Sequence, residues 1–216
     1  MLTPLEPLTT PSRLSDIVFD RLKDAIIAGA IAPGAGIKDA ELARQLEVSR
    51  MPIREALQRL ARIGLIEVAA SRFTRVTRVT PALIRETLEF ARCHAVAVVG
   101  LAVPELTPRD ARELTRVIRR AIADIDAGRP ALRATRPVYR RFAQVAGNRF
   151  LSEMLADVEI AIERNLSHMT ESEAAREIVR ETLRELRAAI ERGDAAAAVD
   201  AASRQYGVPA LDLPRG

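Results

Sequence analysis

The sequence predicts a mainly α protein: a winged helix-turn-helix at the N-terminus followed by an all-α antiparallel helical bundle. Three observations carry this. Apolar residues recur at three- and four-residue steps along most of the chain, the spacing of helices with one buried stripe. Alternating, β-rich runs are confined to one pair, "LIEVA" (65–69) and "FTRVT" (73–77). Ala, Leu and Arg are abundant, aromatic residues make up 3% and Trp is absent, so packing rests on aliphatic side chains in helix-forming sequence. At 216 residues the chain is long enough for one large or two small domains.

Taken in order, residues 1–11 are rich in Pro and Thr and read as a flexible arm. From Ser12, the positions Leu14, Ile17, Val18, Leu22, Ala25 and Ile26 form an amphipathic helix that stops at Gly29. "APGAG" (32–36) is a turn, and Asp39 is the expected cap of a short helix, "AELARQLE", with Leu42 and Leu46 facing inward. Ser49 is the expected N-cap of the next helix, and Pro52 sits in its first turn, where a missing N–H loses no partner. Its inward stripe is Ile53, Leu57, Leu60 and Ile63. The two β-rich runs, separated by "ASR", form a hairpin, so 12–78 reads as helix, helix, tight turn, helix, wing. After Thr80-Pro81 five or six helical patterns follow. Their stripes include Leu114/Val117/Ala121/Ile125, Leu151/Leu155/Val158/Ile162 and Val179/Leu183/Leu186/Ile190. They make a bundle over 81–206, with a tail at 207–216.

Charge is unevenly placed. The formal net charge is +4, but residues 1–47 carry a net −2, residues 48–78 a net +5 and the remainder +1. A local basic excess on a helix that opens after a tight turn suits phosphate and base contact. The candidate DNA-binding residues are Arg44, Ser49, Arg50, Met51, Arg54, Arg72 and Arg75. Those opening the helix lie where a recognition helix meets base edges in the major groove, and the hairpin arginines where a wing reaches the backbone or minor groove. An arginine-rich helix face is often only a solvated surface; here the short helix, the turn and the hairpin agree on a groove reader. Arg59 and Arg62 read as surface ion-pair residues.

The stretch "AIIAGAIAPGAGIKDAELARQLEVSRMPIREALQRLARIGLIEV" resembles the GntR family of bacterial transcription regulators, over about residues 14–80. The resemblance implies that Arg50 and Arg54 are principal DNA contacts, with Ser49 and Met51 adjoining. Relatives often carry an arginine where this chain has Ala40, and a glycine near Phe73 in the wing. The second part is similar to the FCD effector domain, through "FAQVAGNRFL" (142–151), "RAAIERGDAAAA" (187–198) and Arg92. The likeness implies a homodimer whose helical domain binds a small metabolite and alters DNA affinity. Many FCD domains hold a divalent metal on one Asp and three His. Alignment on "AGN" and "GD" puts Thr135, Tyr139, Leu183 and Gln205 at those positions, and the histidines of the chain are His94 and His168. Such a set lacks converging imidazole or carboxylate ligands, so no metal or other cofactor is expected. Thr135, Tyr139, Leu183, Gln205 and Arg92 remain as candidate effector contacts, for a small anionic or partly apolar metabolite; the alternative is that they merely fill a vacated site.

No catalytic constellation emerges. Cys93 and His94 are neighbours on a helix and diverge by about 100°, and "GAGIKD" lacks the preceding strand and terminal motif of a phosphate loop. The single cysteine fits a reducing cytoplasm. The longest apolar run, "AVAVVGLAV" (95–103), is half a bilayer span, so no membrane partner is expected. The expected function is a ligand-responsive transcription regulator, a repressor, binding a palindromic double-stranded operator as a homodimer. The runner-up is a helical protein–protein interaction module with a non-specific nucleic-acid-binding head.

Overall fold

Helix α1 (Ser12–Ile27) turns Val18, Phe19, Leu22 and Ile26 to one buried face, the stripe its spacing dictates. In the computed structural model, which describes residues 12–69, 72–167, 169–206 and 211–212, the chain divides into two compact units, Met1–Arg78 and Val79–Gly216. The expected arm at 1–11, and the tail apart from 211–212, lie outside the described residues.

In the first unit α1 packs on α3 (Arg50–Arg62), whose Ile53, Ala56 and Leu60 are completely buried. Ile53 and Leu60 contribute roughly 1.5–3 kcal/mol each on full burial. Between them lies α2 (Asp39–Gln45). It begins one residue earlier than expected. Lys38, extended at φ −112°, holds the N-cap position, and Asp39 is the first helical residue, its Oδ1 accepting the Ala40 N–H at 2.8 Å. The hairpin forms as its sequence predicts: β1 (Ile66–Ala69) pairs antiparallel with β2 (Phe73–Val76), Ile66 opposite Val76 and Ala69 opposite Phe73. The "APGAG" turn adds a short third edge. Val76 N–H donates to Ala35 O, Ile37 N–H to Thr74 O, and Gly36 bridges Arg75.

The second unit is helical, with α4 (Pro81–Ala102), a 3-10 turn (Val103–Glu105), α5 (Pro108–Asp126), α6 (Ala131–Ala134), α7 (Arg136–Ala146), α8 (Arg149–Leu166), α9 (Glu173–Arg192) and α10 (Ala195–Tyr206). Five starts carry side-chain caps, the last being α10, where Asp194 Oδ1 accepts the Ala197 N–H at 3.0 Å. Thr80, Thr107, Asn148 and Ser172 accept the N–H of Leu83, Asp110, Leu151 and Ala175, and the two threonines are each followed by proline at N1. Helix α4 with its following turn, Pro81–Glu105, is long and apolar enough to cross a membrane by length and composition. Its apolar side is nevertheless a wall of this unit's core, with Ile84, Ala95, Val98, Val99 and Ala102 fully buried. Ala198, Ala201 and Ala202 of α10 pack closely beside α4 and α9 because they are small.

Two features depart from the sequence reading. The stripe Leu151/Leu155/Val158/Ile162 of α8 is only half-buried. Helix α8 instead meets α6 and α7 through ion pairs, Glu163 to Arg133 of α6 and Glu159 to Arg136 and Arg140, and Glu163 to Arg136, of α7, at 2.5–3.2 Å. It meets α4 through buried Asn165, which donates to Thr87 Oγ1 at 3.1 Å and accepts from the buried Arg164 at 3.1 Å. The tail also supplies a two-residue strand, β4 (Leu211–Asp212), paired antiparallel with β3 (Thr170–Glu171).

The link between α2 and α3 closes tightly. Val48 N–H donates to Ala43 O at 3.0 Å and Glu47 N–H to Arg44 O at 3.4 Å, with Glu47 left-handed at φ +54°. This is a Schellman closure with a charged residue where glycine costs least. Glu47→Gly should raise the stability of the first unit by about 1 kcal/mol, and Glu47→Ala should give no comparable gain. Denaturant or thermal unfolding followed for that unit checks both.

Candidate nucleic-acid interface and buried polar site

Helix α3 has two faces with different fates. Ile53, Ala56, Leu57 and Leu60 are locked in the core, which fixes the helix's rotation and leaves Arg50, Met51, Arg54 and Gln58 on the exposed side. Ser49 occupies the N-cap position at φ −67°, ψ 164°, but its hydroxyl makes no capping bond. Pro52, in the first turn, lacks an N–H. The first turn of α3 therefore presents backbone N–H donors and a free hydroxyl beside two arginines, the arrangement that accepts a phosphate oxygen.

The arginines singled out in the sequence do not share one environment. Arg44 is exposed in the last turn of α2, Arg54 is exposed on α3, and Arg72 is exposed where the wing turns, its N–H donating to Ala69 O at 3.0 Å. Among the described residues none of these three guanidiniums is ion-paired. Arg50 is paired: its Nη2 lies 2.9 and 3.0 Å from the two carboxylate oxygens of Asp39. Arg75 is paired too, donating Nε and Nη2 to Glu67 Oε2 at 3.0 and 2.7 Å across the hairpin and stacking on Phe73 at 4.2 Å. It is half-buried in that pair rather than extended from the wing. Arg59 faces α1, bonded to Asp16 at 2.5 Å and stacked on Phe19 at 4.2 Å, which makes it a packing residue. Ala40 is exposed on α2.

Asp39 is the residue that sequence reasoning missed in this role. A capping reading drew attention to the helix start, and the pairing to Arg50 spans eleven positions across a turn. The signal was an acidic residue placed just before an arginine-rich segment. The Arg50 hydrogen bond, chiefly, holds the Asp39 carboxyl below its usual range, with smaller help from the Ala40 N–H and the charges of Arg50 and Arg54, against the opposing effect of burial.

In the second unit, four of the five candidate effector residues are buried. Thr135, Leu183 and Gln205 are fully enclosed and Tyr139 nearly so. The Tyr139 and Tyr206 rings lie 5.6 Å apart, and Leu183 belongs to the same apolar core as Tyr139. Thr135 donates its hydroxyl to Leu132 O at 2.8 Å. Tyr139 Oη and both amide atoms of Gln205 are buried without a partner of full hydrogen-bond geometry among the described residues. Burial pushes the Tyr139 phenol well above its ordinary value. The Tyr206 phenol is pushed up to about 12 by burial, tempered by its neighbours Thr135 and Gln205. Arg92 does not join the set: it is exposed on α4. Cys93 is exposed and free.

Residues 14–76 match the bacterial regulatory proteins of the gntR family, and residues 84–206 match the FCD domain. The chain belongs to the GntR family, in its FCD branch. One GntR-type relative is an HTH-type transcriptional regulator in an unstable DNA locus of Streptomyces ambofaciens, 36% identical over 112 residues, 50% of this chain and 47% of that one. Another is the HTH-type transcriptional regulator McbR of Escherichia coli K12, 34% identical over 103 residues, 48% and 47%. The chain thus spans about half the length of these two relatives. A longer match, to the HTH-type regulator Rv0494 of Mycobacterium tuberculosis, is 26% identical over 218 residues, 93% of this chain and 90% of that one. Among solved structures, the fold is similar to E. coli McbR/YncC (TM-score 0.64, 24% identity, 90% of this chain and 93% of that one). It is likewise similar to a GntR regulator from Rhodococcus sp. RHA1 (TM-score 0.66, 21% identity, 91% and 94%). These relatives are regulators of transcription, not enzymes.

Within the FCD branch, the residues at the metal-binding positions do not fit a divalent ion. A leucine offers no donor, a tyrosine held protonated by burial offers a poor one, and a hydroxyl and a carboxamide bring no charge.

The Asp39–Arg50 pair has a direct signature in solution. The folded carboxyl lies below its unfolded value, so its contribution to stability is present above the ordinary aspartate range and is lost as pH falls through the depressed value. NMR titration should find Asp39 ionising below ordinary aspartates, and returning towards the ordinary range in Arg50→Met.

Proposed function

We propose that this chain is a ligand-responsive, DNA-binding regulator of transcription, a repressor that grips a palindromic operator as a homodimer in the cytoplasm. The observation that carries the reading is the opening of α3: a fully buried inner stripe, and on the outer face Arg50 and Arg54 beside an uncapped helix N-terminus. A helix so presented enters the major groove with its first turns, where each arginine can donate to a guanine edge. Arg44 and Arg72 reach phosphates on either side. Arg75, held to Glu67, supports the wing and adds charge to the backbone contact.

Two-fold pairing follows from the operator's symmetry, half-sites being set by the spacing of the two reading helices. Effector binding acts by its differential affinity for arrangements that bind the operator well or poorly. Tyr139, Gln205, Thr135 and Leu183 are the effector contacts in this reading, joined by Tyr206. The enclosure holds no charged side chain at these five positions, so it favours an uncharged polar head with an apolar flank, without a metal. Arg92, exposed on α4, gives an acidic effector no support from this side.

Selection of genomic fragments by the purified protein, followed by footprinting, should return a two-fold symmetric site; uniform weak protection would instead favour a non-specific head. Arg54→Ala should cost about tenfold in operator affinity and flatten sequence preference, while Arg72→Ala weakens all duplexes alike and lowers the salt slope by about one. Gln205→Leu removes a buried carboxamide whose atoms lack partners of full hydrogen-bond geometry among the described residues. It should leave stability unchanged or raise it by about 1 kcal/mol, and abolish the thermal shift that neutral amides or alcohols produce in the unaltered protein. Elemental analysis should find zinc and nickel well below one per chain.

A further inference from the structure

The geometry points to Asp39 as a positioning residue for sequence reading: its carboxylate pins the Arg50 guanidinium at the mouth of α3, so that α2 sets where Arg50 donates. This rests on the DNA-binding reading above and adds a residue to it.

Three observations support the assignment. Both Asp39 oxygens converge on one nitrogen, Nη2, at 2.9 and 3.0 Å, which leaves Nη1 and Nε of Arg50 to donate elsewhere. The Arg50 side chain is otherwise open, 64% exposed, against 30% for Asp39. A long arginine with that freedom samples many rotamers, and ordering it on DNA costs entropy that a pre-formed clamp removes. Stability does not explain the pair, because ion pairs between exposed side chains contribute little to folding. Placement within the fold is equally telling. Asp39 is the first residue of α2 and Arg50 the first of α3, so the tight turn brings the two helix starts together at one edge. Arg54, one turn further along α3, lies close enough for its charge to act on Asp39 but is not bonded to it.

The positioning role and plain electrostatics predict opposite signs. Asp39 is an anion at a surface that meets phosphates, so removing its charge strengthens any contact governed by charge alone. If Asp39 orients Arg50, the same change weakens the contact that depends on direction. Asn at this position retains an oxygen for the Ala40 N–H and so preserves the helix start.

The test uses the full-length protein and a duplex it has itself selected from genomic fragments, beside a scrambled duplex of equal length. D39N should bind the selected duplex about tenfold more weakly and the scrambled one equally or more tightly, collapsing the ratio. In an R50A background, D39N should have no further effect on the ratio, since the two residues act as one unit. D39E, which keeps the carboxylate, should recover part of it. Tighter binding of both duplexes by D39N overturns the assignment, as does a full D39N effect that persists in R50A, which would make Asp39 an independent base contact. Failure of the unaltered protein to prefer any duplex overturns the DNA-reading proposal itself, and is thereby told apart from failure of the Asp39 role. Unchanged unfolding midpoints in D39N exclude misfolding as the cause of a lost ratio.

Discussion

The first unit depends on the burial of one side of α3. Ile53, Ala56 and Leu60 have no solvent contact, so the helix cannot roll about its axis without exposing apolar surface or driving a charge inward. Successive residues sit about 100° apart, and the rotation that seats those three side chains also decides that Arg50, Met51, Arg54 and Gln58 look outward. The surface chemistry is therefore a consequence of the core. The turn before the helix is constrained in the same way. A left-handed Glu47 and two backbone bonds returning to α2 leave no slack between the helices, and the start of α2 comes to rest beside the start of α3.

That proximity divides the arginines into two kinds. Arg50 and Arg75 are held by carboxylates, Asp39 and Glu67, which give up net positive charge in exchange for direction. Arg44, Arg54 and Arg72 carry no such partner among the described residues and keep their full charge and mobility. The first kind suits contacts that depend on angle, the second contacts with a phosphate that accepts from many directions. A net +5 over residues 48–78 thus overstates the freely available charge. Asp39 and Asp16, outside that stretch, pair with Arg50 and Arg59 and divert part of it into geometry.

Much of this was legible in the sequence because local rules fix it. Thr80-Pro81 favours a helix start, since threonine caps and proline suits the first turn, and the structure places α4 there. The hairpin's three-residue gap follows from two alternating runs that share a buried face. The inner stripe of α3 follows from period alone. What escaped depends on partners distant in sequence. The pairing of Asp39 to Arg50 requires the turn angle, which no residue type specifies. Helix α8 has a regular apolar stripe, yet its deepest residues include Arg164 and Asn165, because its neighbours offer arginines and a threonine hydroxyl rather than an apolar groove. Arg92 was assigned by resemblance, and resemblance transfers a position along the chain without the direction of the side chain. At the four positions that the resemblance aligns with FCD metal ligands the residue types themselves make a poor donor set, and all four are buried.

The buried polar site poses an energetic question that packing does not answer. A buried donor or acceptor without a partner costs about 1–3 kcal/mol, and Tyr139 Oη and the two amide atoms of Gln205, in the interior of the second unit, have no partner of full hydrogen-bond geometry among the described residues, although Gln205 lies close enough to act on the Tyr206 phenol. A core selected only for cohesion has a simpler solution, and it is already present at one of the four positions: Leu183 is fully buried in the apolar cluster. A leucine or methionine at Gln205 would remove the cost in the same way. In the proposed function, the carboxamide and the phenol are kept for hydrogen bonds to an entering effector. The partners offered are neutral, one a phenol kept protonated by burial and one an amide with both a donor and an acceptor. On that proposal, an effector that satisfies them presents a complementary donor and acceptor, and gains affinity because those groups are already desolvated.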